Sequence, residues 1–99
     1  MEPGNNLKIE SLTQDWRDKD SVMLHACFQL LKDAVEQEHL LTNINWDTSE
    51  INIATKKEIE VLYKWWINYQ ESLAPDESEI KMQNEMLHRL IDIRWALWT

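Results

Sequence analysis

The chain has 99 residues, 43% of them hydrophobic and 28% charged, which is one domain's worth of ordinary globular sequence. One glycine and two prolines are too few for the tight turns of a β-sandwich or barrel, and the lone Cys27 excludes an internal disulfide and a cysteine zinc site. A net charge of −8, spread along the chain, sets the surface against phosphate backbones, so nucleic acid is not expected as a partner, and with no transmembrane run or lipidation motif neither is a membrane.

Residues 1–20 read as a short extended arm, with Leu7 and Ile9 alternating with polar neighbours and Trp16 placed to dock it onto the rest. Asp20 or Ser21 can cap a first helix over about 21–41. Its apolar arc holds Met23, Leu24, Cys27, Phe28, Leu30, Leu31, Ala34, Val35 and Leu41. The opposite face carries His25, Gln29, Lys32, Asp33, Glu36 and His39. The next stretch offers two capping-box starts, Asp47 with Glu50 and Thr55 with Glu58. A second helix over about 50–73 has its stripe at Ile59, Leu62, Tyr63, Trp66, Tyr69 and Leu73, and Pro75 ends it.

Asp76 with Glu79 makes a third capping box and starts a last helix over about 77–97. Its apolar side chains cover an arc of roughly 220°, about twice what a surface helix needs. A helix so apolar must be covered on two sides. The expected fold is therefore a mostly α, single-domain, antiparallel up-down-up bundle of three helices with a short arm. In that layout Glu38, Glu58 and Arg94 fall inside apolar arcs near one end. A buried, unpaired Arg94 would cost several kcal/mol, so Arg94 is expected to pair with Glu38, Glu58 or both as a structural ion pair.

Few motifs carry chemistry. Glu36/His39 and Glu85/His88 have the Glu-x-x-His spacing that di-iron bundles use, but both lie on polar faces and at different heights, so no metal and no cofactor are expected. His25 and Cys27 point about 160° apart on one helix and form no nucleophile–base pair. Six tryptophans are more than three helices need for a core. Trp65, Trp95 and Trp98 are expected to form an aromatic patch for a partner protein or a second copy of the chain.

The stretches VMLHACFQLLKDAVEQE (22–38), EIEVLYKWW (58–66) and EMLHRLIDIRWALWT (85–99) resemble a family of small proteins encoded by tailed bacteriophages. The shared pattern is an L-H-A-x-F-Q-x-L-x-D helix, a W-D step at Trp46 and Asp47, an L-Y-x-W-W helix and a closing I-R-x-x-L-W-T. The chain departs from it at the amino end and in INIATKK (51–57). The resemblance implies a phage source, a place in the host cytoplasm and a role in host takeover or defence evasion, with no established activity. The expected function is a non-enzymatic accessory protein that binds a host or phage protein, with homodimerisation as an option. A metal- or nucleotide-dependent small helical enzyme and a minor virion component are the alternatives.

Overall fold

The computed structural model describes residues 7–12 and 18–97. Three main helices, α1 (Lys19–Glu36), α3 (Glu50–Asn68) and α4 (Glu77–Asp92), pack against one another in all three pairings. A short helix, α2 (Leu40–Asn43), joins the first two, and a 3-10 turn, Arg94–Leu97, follows the last. There is no strand among the described residues. Of the arm, residues 7–12 hold a turn, closed by the Leu12 N–H donating to the Ile9 carbonyl, in place of an extended segment. Trp16 lies outside the described residues.

The helix ends follow local chemistry. Asp18, in extended backbone geometry, precedes α1, and Asp20 in the first turn suits the positive end of the helix dipole. α1 stops at Glu36, five residues short of the expected end, because the chain reverses at His39, whose φ is 55°. With the sequence's only glycine far off at position 4, a histidine takes the left-handed conformation, which it does more readily than most residues. The reversal drops Leu40 into the core, and the Trp46 indole N–H donates to the Leu40 carbonyl at 3.1 Å.

Neither expected capping box starts α3. Ser49 does, its hydroxyl accepting from the Asn52 N–H at 3.1 Å. Thr55 instead sits one turn inside the helix with its hydroxyl donating to the Ile51 carbonyl. At α4 the expected cap forms by half: Asp76 accepts from the Glu79 N–H at 2.9 Å. The Glu79 carboxylate is drawn elsewhere, to the Ser72 N–H and the Tyr69 hydroxyl.

Phe28 and Leu31 of α1, Leu40 of α2, and Ile59 and Leu62 of α3 are fully buried. Trp46, Trp66, Met86, Leu90, Ile93 and Ala96 complete the core. The contacts that join α3 to its neighbours run in opposite order. His25 and Phe28, early in α1, meet Trp66 late in α3, while Glu36 meets Tyr63. Arg89, late in α4, meets Glu58 early in α3, and Gln83 meets Tyr69.

Two expectations about faces need correction. His25 and Gln29, assigned to the polar side of α1, are buried, and Met23 and Leu30, assigned to its apolar arc, are 58% and 53% exposed. The arm turn and the segment after α3 cover the polar side and satisfy both residues: Gln29 accepts from the Glu10 N–H and donates to Asp33, and His25 bonds Ser11 and Glu71. Similarly, α4 buries a stripe rather than most of its circumference, and Ile80 and Ile91 face outward.

Truncating the buried Leu62 to alanine should cost about 2–5 kcal/mol in urea unfolding. Leu73→Ser, at a side chain 98% exposed, should stay within about 0.5 kcal/mol. A large effect at Leu73 would mean that it packs.

Candidate functional site

The most structured feature outside the core is a cleft of about 920 Å³ between the start of α1, the segment joining α3 to α4, and the first half of α4. It exists because α3 ends early. Tyr69, expected inside the helix, turns to extended geometry with ψ 136°, so residues 69–76 cross over to α1 instead of continuing along α3. Tyr69 is held there on both sides. Its ring stacks on Trp65 at 4.7 Å, and its hydroxyl donates to Glu79 at 2.6 Å while accepting from Gln83 at 2.7 Å.

Glu71 then reaches the wall of the cleft. One of its oxygens accepts from the Ser21 hydroxyl at 2.8 Å and lies 3.1 Å from His25 Nε2. The other nitrogen of His25, Nδ1, lies 2.6 Å from the Ser11 hydroxyl. The ring edge of His25 abuts Trp66 at 4.8 Å, and Trp66 stacks on Phe28 at 5.0 Å. A buried histidine thus joins the arm turn, α1 and the α3–α4 segment, which lie 14 and 46 residues away in sequence.

Serine, histidine and carboxylate in a hydrogen-bonded row are also the groups of an acyl-transfer relay. The surroundings oppose that chemistry. Glu10, Asp18, Asp20 and Glu71 line the same cleft against one cation, Lys32, which is already paired with Glu10 at 2.5 Å. An oxyanion forming there would meet carboxylates where hydrolases place donors. The row is a structural tie.

This cluster was missed in the sequence because its three groups come from segments that no single helical face relates. The available signal was small: a histidine and a glutamine one turn apart on α1, in a chain whose arm must dock somewhere.

Of the three tryptophans expected to share one patch, Trp65 and Trp95 are among the described residues. Trp65 is half-buried between Tyr69 and Phe28, at ring distances of 4.7 and 5.2 Å. Trp95 is 49% exposed on the 3-10 turn, and Ile91, four residues earlier, is also exposed. Trp98 lies outside the described residues. Glu58, which meets Arg89 near the end of α4, lies seven residues from Trp65, or about 10 Å along the axis, and Trp95 follows beyond Arg89. Trp65 and Trp95 therefore sit toward opposite ends of the α3–α4 pair.

The expected buried ion pair also takes another form. Arg94 is exposed, because α4 stops at Asp92 and the helical 100° progression no longer directs it inward. Glu58 is engaged by Arg89 instead, which donates through Nε at 2.7 Å and through a terminal nitrogen at 2.5 Å. Those bonds hold the Glu58 carboxyl below its ordinary range and raise Arg89. Glu38 is half-buried just past α1, and its carbonyl accepts from Asn43.

The two Glu-x-x-His pairs stay apart from any cluster. Glu36 accepts from the Tyr63 hydroxyl, and His39 makes the chain reversal. His88 and Glu85 lie on the outer side of α4. Among the described residues no group of three or more His, Cys, Asp or Glu is placed to hold a metal ion, and no helix is long and apolar enough to cross a membrane. Burial pushes the half-buried Cys27 thiol up, away from reactive thiolate character.

Compared with protein-family models, curated proteins and solved structures, the chain finds no match in any of the three.

The tyrosines offer a direct check, since the chain has only two. Burial, and then the bond to Glu79, push Tyr69 up to about 12, and the bond to Glu36 raises Tyr63. Both folded-state values lie above the unfolded one near 10, so the neutral phenols stabilise the fold below pH 10 and that contribution is lost as pH rises toward 12. Tyrosinate absorbance should therefore appear only above pH 10, with Tyr69 the later step, and Glu79→Gln should bring that step down. A single transition at 10 in the folded protein would show Tyr69 open to water.

Proposed function

We propose that the chain is a small phage-encoded accessory protein of the infected host's cytoplasm that acts by binding another protein, without catalysing a reaction. The observation that carries this reading is the amount of large apolar side chain left in water by a chain of this size. Trp95 and Ile91 stand out at the end of α4, Met23 and Leu30 along α1, and Leu73 on the α3–α4 segment. A 99-residue domain has few such residues to spare, and exposed apolar side chains on an otherwise acidic protein are what a protein interface can cover. The resemblance of the L-H-A-x-F-Q, L-Y-x-W-W and I-R-x-x-L-W-T segments to phage proteins supplies the setting. The opposed order of contacts along α1, α3 and α4 supports an antiparallel up-down-up bundle as the scaffold.

The contact surface of this reading centres on Trp95, the most exposed aromatic side chain among the described residues, together with Ile91, exposed four residues earlier in the sequence. Trp98 follows three residues on in the sequence. Acidic Asp92 is exposed between them and provides a polar rim. A second copy of the chain would use the same apolar pair.

The double variant Ile91→Ser/Trp95→Ala should keep its helical circular dichroism and lose at least about 1–2 kcal/mol of binding to whatever protein wild type retains from phage-infected cells, as hot-spot aromatics do. Sedimentation of the same two proteins reads dimerisation. Equal retention by wild type and variant, with both monomeric, would end the case for this surface. No retained protein and no dimer would end the interaction reading itself.

A further inference from the structure

The cleft differs from the Trp95 surface in charge and shape, and its chemistry specifies a partner. Its floor is apolar: Leu24, Trp66 and the half-buried Leu87 all reach it. Its edges carry aliphatic side chains that the fold does not use, namely Met23, Ile67, Leu73 and Ile80, all exposed, with Leu73 almost wholly in water. Around these stand Glu10, Asp18, Asp20 and Glu71. Lys32 is bound to Glu10, and Glu71 is bound to His25 and Ser21, so the lining carboxylates that make no ion pair among the described residues are Asp18 and Asp20. A small molecule seated in the cleft would leave the edge aliphatics exposed. A length of polypeptide lying across the mouth would cover them.

We propose that this cleft is the docking site for a basic amphipathic helix of a partner protein, whose apolar face covers Met23, Ile67, Leu73 and Ile80 and whose lysines or arginines meet Asp18 and Asp20. This rests on the interaction-protein reading and adds the partner's chemistry and a second contact surface. The physical grounds are charge complementarity and the matched pattern of an apolar strip with an acidic margin, the mirror of a helix with an apolar stripe and basic flanks. The fold prepares the cleft in advance. The Ser11–His25–Glu71 row fixes the arm turn against the α3–α4 segment, and Tyr69 with Glu79 and Gln83 fixes that segment against α4. The partner would therefore meet a formed groove and pay little ordering cost on this side.

The test uses synthetic helices on the full-length protein. One is a leucine–lysine amphipathic 16-mer, one its leucine–glutamate counterpart, and one a lysine-rich peptide without the apolar stripe. Binding is followed by titration calorimetry and by amide chemical-shift mapping. The leucine–lysine peptide should bind at least about tenfold more tightly than either control, weaken as salt rises, and shift amides of residues 18–25 and 67–80. Met23→Ser/Leu73→Ser, two exposed positions that leave the fold intact, should weaken it about tenfold, and so should Asp18→Asn/Asp20→Asn. Glu50→Gln/Glu60→Gln, which removes equal charge away from the cleft, should change little.

Equal binding of the two basic peptides, an equal loss with the Glu50/Glu60 variant, or shifts confined to other residues would each overturn the proposal as mere charge attraction. A retained cellular partner lost with Ile91→Ser/Trp95→Ala but kept with the cleft variants would overturn the cleft while leaving the interaction reading standing.

Discussion

The packing of Trp66 against Phe28 and His25 holds the rest of the molecule in place. Trp66 lies one helical turn after Leu62, so it continues the buried stripe of α3, and its ring lies nearly parallel to that of Phe28, with 18° between planes. The face-on contact with Phe28 locks α1 to α3. The edge contact with His25 decides what happens on the far side, because a buried imidazole has two nitrogens to satisfy and neither α1 nor α3 offers a partner. The partners come from the arm turn, through Ser11, and from the segment beyond α3, through Glu71. One aromatic contact therefore fixes both the hydrophobic core and the polar seam beside it. Removing the imidazole would leave Glu71 with the Ser21 hydroxyl and Gln83 as its remaining partners and would free the arm turn from α1 except through Gln29 and Lys32.

That constraint explains the geometry of the α3–α4 connection. Helix propensity alone would carry α3 on to Leu73, since nothing before Pro75 forbids it. Glu71 cannot reach His25 and Ser21 from a continuing helix axis, and the Tyr69 ring and hydroxyl are both engaged once the chain turns at that residue. Several hydrogen bonds, most of them to the Glu71 and Glu79 carboxylates, outweigh the few tenths of a kcal/mol per residue that five more helical residues would contribute. The consequence is the exposure of Leu73, which belongs to the apolar stripe of a longer helix but not to the α3 that forms.

The legible parts of the sequence were those set by local chemistry or by strong periodicity. The three long helices, the Asp76 cap, the buried stripe from Ile59 to Trp66 and the outward position of Trp95 all follow from neighbours within a turn or two. Helix ends were less legible, because each is set by something remote or conformational: Glu36 by the left-handed reversal at His39, Asn68 by the Glu71 seam, Asp92 by the 3-10 turn that buries Ala96. The pairing of Glu58 was readable as a need for a cation but not as to which one. A wheel carried past the true end of α4 favoured Arg94 over Arg89, which the helix does direct toward α3. The face of α1 was misjudged for a related reason. A polar residue on a helical wheel is assigned to water, yet His25 and Gln29 are buried and find partners on the arm turn and the segment after α3.

The placement of charge fits this arrangement. Acidic residues raise solubility and keep copies apart, which an apolar surface of this extent requires. Carboxylates that serve the fold are tied down: Glu58 by Arg89, Glu79 by Tyr69 and Ser72, Glu71 by His25 and Ser21, Glu10 by Lys32. Asp18 and Asp20 line the opening of the cleft at the start of α1. An approaching cationic segment would meet exposed carboxylates next to unburied aliphatic side chains. A like-charged surface, including that of a second copy of this chain, would be repelled from the same spot. The acidic charge would thus also discriminate among the surfaces able to cover the apolar edge.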